Sequence, residues 1–429
     1  MENRNYGEYA ENKNNYGVKK IFSGSKKSDI AEFNEICHKH QLWLIEDEGG
    51  ERADFSDTAF IDNFEIFGKN LERAIFRGAR FEATQIDKTI FRGADFSEAA
   101  LFDALISNSN FEETNCKEVY FKNVLFRNDE LEEEYEEDYE LIKETSFYDA
   151  DFYLSHLNEC TFLGTDFTSV RFTEADLCDS AFRECDFSGS VMTSIVAFNA
   201  CFVRSKLNHV LLQGSILDDA SFKEANLYGT KLSNSKMQGA NFTNANCCHA
   251  SFSDCDLRTI CIEGAKFENC NFTGTELQEV DFRKSYCVQE CDFTMANLKK
   301  AGFEYCDLKR SVFRDASLRN ANFRYADLSK SDFTNANCSN ADFHRADIAD
   351  VIFYNADLYN ARIRSALNKN AVFDGAALAL ETLPDEIDER TLKNFLHYIA
   401  KVGLESSYIG ESLKEELQKI EYFANPSRN

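Results

Sequence analysis

Proline is almost missing from this chain: Pro384 and Pro426 are the only two in 429 residues. Trp43 is the one tryptophan, and no run of about 18 apolar residues exists. The missing apolar run excludes a helical membrane span. Met1 to Lys27 has no apolar core, which excludes a secretory leader of the usual kind. Rich in Asn, Lys, Gly and Tyr, that stretch reads as a disordered polar tail over residues 1–27. A reducing, cytoplasmic location follows as the default expectation. Avoiding proline for so long means that nearly every backbone N–H is needed as a donor.

Phenylalanine, by contrast, occurs 39 times, and it occurs in register. Large apolar residues fall at Leu71, Phe76, Phe81, Ile86, Phe91, Phe96, Leu101, Ile106, Phe111, Cys116, Phe121 and Phe126, five apart throughout. The same step resumes at Phe147 and runs, with a lapse at Ala197, to Phe282 and Cys287. One extra residue near 288–290 shifts the frame, which continues from Phe293 to Leu383. Two residues before each centre stands Ala, Ser, Thr, Cys or Val, as at Ala94, Ala225 and Ala326. One residue before it, Asp or Asn recurs, as at Asp95, Asn226 and Asp327.

A period of five suits neither a helix nor an ordinary strand. It suits a four-sided coil in which each unit supplies one side and one corner. Both the centre and the small residue then point inward. The fold class expected is an all-β solenoid: a right-handed, quadrilateral parallel β-helix. About sixty units would give about fifteen coils, roughly 70 Å in length.

Ala94-Asp95-Phe96-Ser97-Glu98, Ala225-Asn226-Leu227-Tyr228-Gly229 and Ala326-Asp327-Leu328-Ser329-Lys330 carry the motif A(D/N)LXX. In these residues the chain resembles the pentapeptide-repeat family over residues 53–383. The resemblance implies the β-helix, with no cofactor. Some members of that family mimic duplex DNA, bind type II topoisomerases and protect them from quinolones. Their loop insertions matter for that function, and a C-terminal helical element can pair two rods.

The flanks break the period. Residues 28–52 read as an N-terminal cap: an amphipathic helix from Asp29 to Asp47 with Ser28 as its N-cap and Ile30, Phe33, Ile36, Cys37, Trp43 and Leu44 near one face. Residues 384–429 read as a helical pair. Pro384 opens the first helix, which carries Leu392, Phe395, Leu396 and Ile399. Ser412 with Glu415 opens the second, which carries Leu417, Ile420 and Phe423. The resemblance makes Leu392, Phe395, Leu396, Ile399, Leu417 and Ile420 candidates for a homodimer contact; a plain cap is the alternative. Residues 129–146 interrupt the repeats as an acidic insertion, helical by its Leu131, Tyr135, Tyr139 and Ile142 stripe. Asp129 to Glu144 holds ten acidic residues and one Lys. Glu132, Glu133, Glu134, Glu136, Glu137 and Asp138 are the candidate partner contacts there.

Nothing marks a catalytic or metal site. Cys160, Cys185, Cys255, Cys270, Cys291 and Cys306 hold the small inward position, and Cys116, Cys247, Cys287 and Cys338 the large one. They act as core residues. Cys37-His38-Lys39-His40 and Cys247-Cys248-His249 lack a second ligand pair at zinc spacing. His156, His209, His249 and His344 are expected to face outward, far apart, so no nucleophile–base pair emerges.

The formal net charge is −27. Residues 53–287 hold 42 acidic and 21 basic residues, and residues 288–383 hold 13 and 12. Spread along the expected length, that is one net charge per about 3 Å, against about 1.7 Å for duplex DNA. Two readings stand. One is a non-enzymatic DNA mimic that binds gyrase or topoisomerase IV, touching no nucleic acid or membrane itself. The other is a rigid protein-interaction scaffold or effector. Lys299, Lys300, Lys309, Arg310, Arg314, Arg319, Arg324, Arg345, Arg362 and Arg364, interleaved with Tyr305, Tyr325, Tyr354 and Tyr359, are a patch for an acidic partner or a mixed, solvated surface. The near-zero local charge favours the second.

Overall fold

The computed structural model describes residues 18–127, 145–285, 288–363, 366 and 370–377. The acidic insertion, its candidate contacts at 132–138 and the C-terminal helices with their dimer candidates lie outside the described residues. So does Cys287. The chain divides into two compact units, Met1–Asn246 and Cys247–Asn429.

The repeat explains itself once its donors are counted. In Ala94-Asp95-Phe96-Ser97-Glu98, the Ala94 N–H donates to Phe91 O at 2.8 Å and closes a turn. The Asp95 N–H donates to Ala74 O in the coil before, and the Phe96 and Glu98 N–H groups donate to Asn115 O and Lys117 O in the coil after. Only the Ser97 N–H has no backbone acceptor. The Asp95 carboxylate accepts it at 3.1 Å. The same bond recurs from the N–H groups of Glu112, Thr168, Thr273 and Thr334 to the side-chain oxygens of Asn110, Asp166, Asn271 and Asp332. Asp or Asn precedes the centre because its side chain takes the one N–H that the coil ladder leaves over. All five N–H groups of this repeat are then used, which is why proline is excluded.

The corner residue, two after each centre, has a positive φ: Glu98 58°, Asp254 57°, Asn335 58°. This is what the second central position of a type II turn requires. Gly78, Gly93, Gly189, Gly214 and Gly375 fall on this corner, also with positive φ.

In the N-terminal unit, two sides of the coil extend into parallel sheets. One has the order β1 (Lys20–Ser23), β2 (Thr58–Ile61), β4 (Arg80–Glu82), β6 (Ala100–Phe102), β8 (Tyr120–Lys122). The other runs from β3 (Glu65–Phe67) through β5 (Gln85–Asp87), β7 (Leu105–Ser107), β9 (Leu125–Arg127) and β10 (Thr161–Leu163) to β11 (Ala181–Arg183). Elsewhere each side contributes a single bridge, spaced by 20 residues as in Val191↔Leu211. Phe126 pairs with Phe162, so the coil resumes in register on the far side of the insertion.

The interior is ladders of like residues. Phe162, Phe182, Phe202, Phe222 and Phe242 stack with centroids 4.9 to 5.3 Å apart. In the C-terminal unit, Phe272, Phe293, Phe313, Phe333, Phe353 and Phe373 form one ladder and Phe282, Phe303, Phe323 and Phe343 another. The two meet edge to face, as Phe293 does with Phe303 at 73°. Some buried hydroxyls at the small position bond across coils: Ser190 Oγ donates to Phe167 O and accepts from the Val170 N–H, whereas those of Thr84 and Ser155 find no partner among the described residues.

Three readings of the N-terminal region need correction. Lys20–Ser23, within the expected disordered tail, is a strand, and it pairs with β2 from Lys20↔Thr58 to Ser23↔Ile61. It caps the first coil edge, and Phe22 is fully buried there. The helix α1 spans Lys27–Leu44, so Ser28 is not its N-cap; Lys26 holds that place without a side-chain cap bond. Ser28 instead donates to Asp29. The buried face of α1 is Phe33, Cys37 and His40, while Ile30 is exposed. The first coil also holds an extra residue: Phe60 pairs with Phe81, 21 residues on, and Asp62 and Asn63 both have positive φ. Gly24 packs there so closely that a Cβ would lie 2.5 Å from Asp62 O.

In the C-terminal unit the frame shift falls between the centres Phe282 and Val288, six residues apart, and not at 288–290 as the period suggests. Asp281 bridges Gly302, 21 residues on, whereas Asp292 bridges Val312 at 20. The extra residue is taken up by a 3₁₀ turn at Phe282–Lys284, and Val288 is the buried centre that follows.

Candidate interaction surface

The cysteine assignments are answered by burial. Cys160, Cys185, Cys255, Cys270, Cys291 and Cys306, and Cys116, Cys247 and Cys338, are buried and free. Burial pushes the Cys160 and Cys185 thiols up to about 12, so these are poor nucleophiles. Cys261 is exposed. No metal-ligating group of three or more His, Cys, Asp or Glu occurs among the described residues.

His40 is a residue whose role the sequence pattern did not suggest. It is fully buried, with Trp43 stacked on it at 5.4 Å. Its Nδ1 accepts from the Ala53 N–H at 3.1 Å, so its Nε2–H donates to Glu72 O at 2.9 Å. Both nitrogens are occupied in joining α1 to the first coils, so the ring is not placed as a metal ligand. Burial lowers its pKa from the ordinary value. The signal was its spacing: Phe33, Cys37 and His40 follow one helical stripe.

His156, His209, His249 and His344 stand on the outer side. His209 and His249 sit on positive-φ corners. His156 Nδ1 lies 3.9 Å from Asp176. They are held on separate coils.

The outer surface is set by the three outward positions of each repeat. In the N-terminal unit the insertion carries ten acidic residues and one basic, and the rest of residues 53–246 carry 25 and 16. Many of these charges are paired along the coil direction, as in Arg204 with Glu184 and Glu224, and Lys206 with Asp186. In the C-terminal unit, pairing accounts for much of the basic set. Lys300 meets Glu279, Arg310 meets Glu290, Arg314 meets Asp332, and Lys309 lies between Asp307 and Asp327. Arg324 is held 3.7 Å from both Glu304 and Asp342. These cations belong to a mixed surface.

One column departs from it. Centres Phe282, Phe303, Phe323 and Phe343 stack, so Tyr305, Tyr325 and Arg345 share one outer corner, with Lys284 in the 3₁₀ turn of the coil before. The Tyr305 and Tyr325 rings are 4.8 Å apart and 9° from parallel. The guanidinium of Arg345 lies 5.7 Å from the Tyr325 ring, and His344 meets that ring edge-on. Tyr305 is 70% exposed.

Comparison with known proteins agrees with the repeat geometry. Family models match along the chain: "Pentapeptide repeat region" at residues 205–282 and 287–363, "Pentapeptide repeats (9 copies)" at 147–191, and "Pentapeptide repeats (8 copies)" at 70–101 and 89–128. No curated protein matches over its sequence. Among solved structures, HetL, a pentapeptide repeat protein involved in heterocyst differentiation regulation from the cyanobacterium Nostoc sp. strain PCC 7120, is 24% identical. That match covers 52% of this chain and 88% of HetL, with a TM-score of 0.24. Full-length QnrB1, a plasmid-mediated fluoroquinolone resistance protein, is 17% identical over 63% of this chain and 92% of its own, with a TM-score of 0.20. A mannuronic acid specific polysaccharide family 6 lyase from human gut microbiota is 10% identical over 94% of this chain and 99% of its own, with a TM-score of 0.28. Such likenesses concern the solenoid and say nothing of activity. The five-residue register, the Asp/Asn-capped corners and the family matches lead to one conclusion: this chain belongs to the pentapeptide-repeat family.

Proposed function

We propose that this protein works without catalysis, as a rigid recognition surface for another protein. One observation carries the reading. The coil interior is filled by stacked side chains, and repeats such as Ala94–Glu98 use every backbone N–H internally, so what is left to recognise anything is chiefly the outer side-chain array. Repeat solenoids bind partners through such extended surfaces. The test is affinity capture from the protein's own cells, followed by binding of the purified partner to the native chain. A partner that binds saturably, and loses affinity when outward residues are changed with every inward residue kept, supports the reading. A turnover activity that survives those changes would contradict it.

A second reading, a DNA mimic acting on gyrase or topoisomerase IV, is favoured by the acidic excess of residues 53–246. It would give this protein a role like the one QnrB1's name describes. The charge argues for restraint: the sequence supplies at most about half the linear density of duplex DNA. Its test is gyrase supercoiling and quinolone-stabilised cleavage with and without the purified protein at low salt. Unchanged activity in both assays rejects it.

A further inference from the structure

Large residues are poorly suited to a left-handed corner, because the Cβ approaches the following carbonyl at a cost of about 1–2 kcal/mol. In the C-terminal unit, the equivalent corners at 320, 335, 340, 355 and 360 carry Asn, which tolerates that conformation. Tyr305 and Tyr325 hold it at φ 62° and 57°, one coil apart, with Arg345 at 57° on the next coil. The stacked ring pair offsets part of the strain. Tyr305 stays 70% exposed, while Tyr325 is half-buried.

The charges around the column separate into two kinds. Arg283 is paired with Asp281 and Glu304, and Arg324 with Glu304 and Asp342. Lys284 and Arg345, at the two ends of the column, make no ion pair among the described residues. The coil above Tyr305 also departs from the regular corner, because the 3₁₀ turn at Phe282–Lys284 absorbs the extra residue. The corner is therefore an aromatic platform, open at Tyr305, with Arg345 at one end and Lys284 in the 3₁₀ turn at the other.

We propose that Lys284, Tyr305, Tyr325 and Arg345 form a docking surface for an acidic peptide segment of a partner protein, one that carries aromatic side chains. This rests on the protein-interaction reading above. Tyrosine and arginine are the residues on which protein interfaces concentrate binding energy. Two unpaired cations complement a short run of carboxylates. A nucleic acid backbone would need several more, and its phosphates would meet a chain of net charge −27. Residues 288–363 hold 11 acidic and 10 basic residues, so an acidic peptide is not repelled there.

The experiment is fluorescence anisotropy of a labelled random copolymer of glutamate and tyrosine with the full chain, beside polyglutamate and oligothymidylate. The variants are Tyr305→Asn with Tyr325→Asn, and separately Arg345→Asn. Asn suits the corner, so melting temperature should hold or rise. The expected result is copolymer binding by the native chain, weaker binding of polyglutamate, and at least about tenfold loss in the tyrosine variant. Unchanged affinity in the variant, tighter binding of oligothymidylate, or no copolymer binding by the native chain overturns the docking surface. If a captured partner still binds the Tyr305→Asn, Tyr325→Asn chain fully, the surface is wrong and the protein-interaction reading survives.

Discussion

His40 shows how one residue couples sequence to fold stability. Its ring joins the Ala53 N–H to the Glu72 carbonyl while fully buried. His40→Ala leaves a buried donor and a buried acceptor without partners, at a cost of about 1–3 kcal/mol. His40→Gln, which carries both a donor and an acceptor, should recover part of it. Because burial depresses the folded pKa below the ordinary value, the neutral ring contributes stability above the unfolded pKa. That contribution is lost as pH falls through the depressed value. The protection factor of the Ala53 amide, its exchange rate taken against the intrinsic rate at each pH, should fall on acidification in the native chain and be low throughout in His40→Ala. An equal fall in both would reject the role. Asp54 points the same way: the Ser56 hydroxyl holds its carboxyl below the usual range, so that bond too is lost in acid.

At the scale of the element, the coil is a ladder in which each ring touches the one above and below. Phe202 lies between Phe182 and Phe222, both at 5.3 Å. Phe202→Ala should cost about 3–5 kcal/mol, and Phe202→Leu much less, since leucine already fills the equivalent site in other coils. Urea titration of both variants checks this, and equal losses would mean that ring stacking is not what the site needs. The corner makes a complementary prediction. Leu154 has φ 56°, and Leu154→Asn should raise stability by about 1 kcal/mol by relieving the left-handed strain. A fall in the denaturation midpoint would refute it. The corner glycines were visible in the sequence, but their meaning came only with φ. The Asp or Asn before each centre was visible too, yet its acceptor role needed the backbone ledger.

For the whole molecule, charge is the property that conditions should reveal. The net charge of −27 repels itself, whereas the exposed ion pairs each contribute little. Raising salt from about 50 mM to about 500 mM should therefore raise the melting temperature. A fall would mean that the ion-pair columns outweigh the repulsion.

The sequence by itself determined the solenoid, because a strict period of five fixes which side chains face inward and leaves no other packing for thirty-odd phenylalanines and their small partners. It also placed the buried cysteines, for the same reason of register. It could not foresee β1, the extra residue at 62–63 or the buried His40, since a cap is chosen by what the first coil leaves uncovered and carries no period. Nor could it single out Tyr305, Tyr325 and Arg345 from the other basic and aromatic residues. Being alone on one corner, unpaired and stacked, is a relation between coils 20 residues apart. Only the tertiary structure brings those coils into contact.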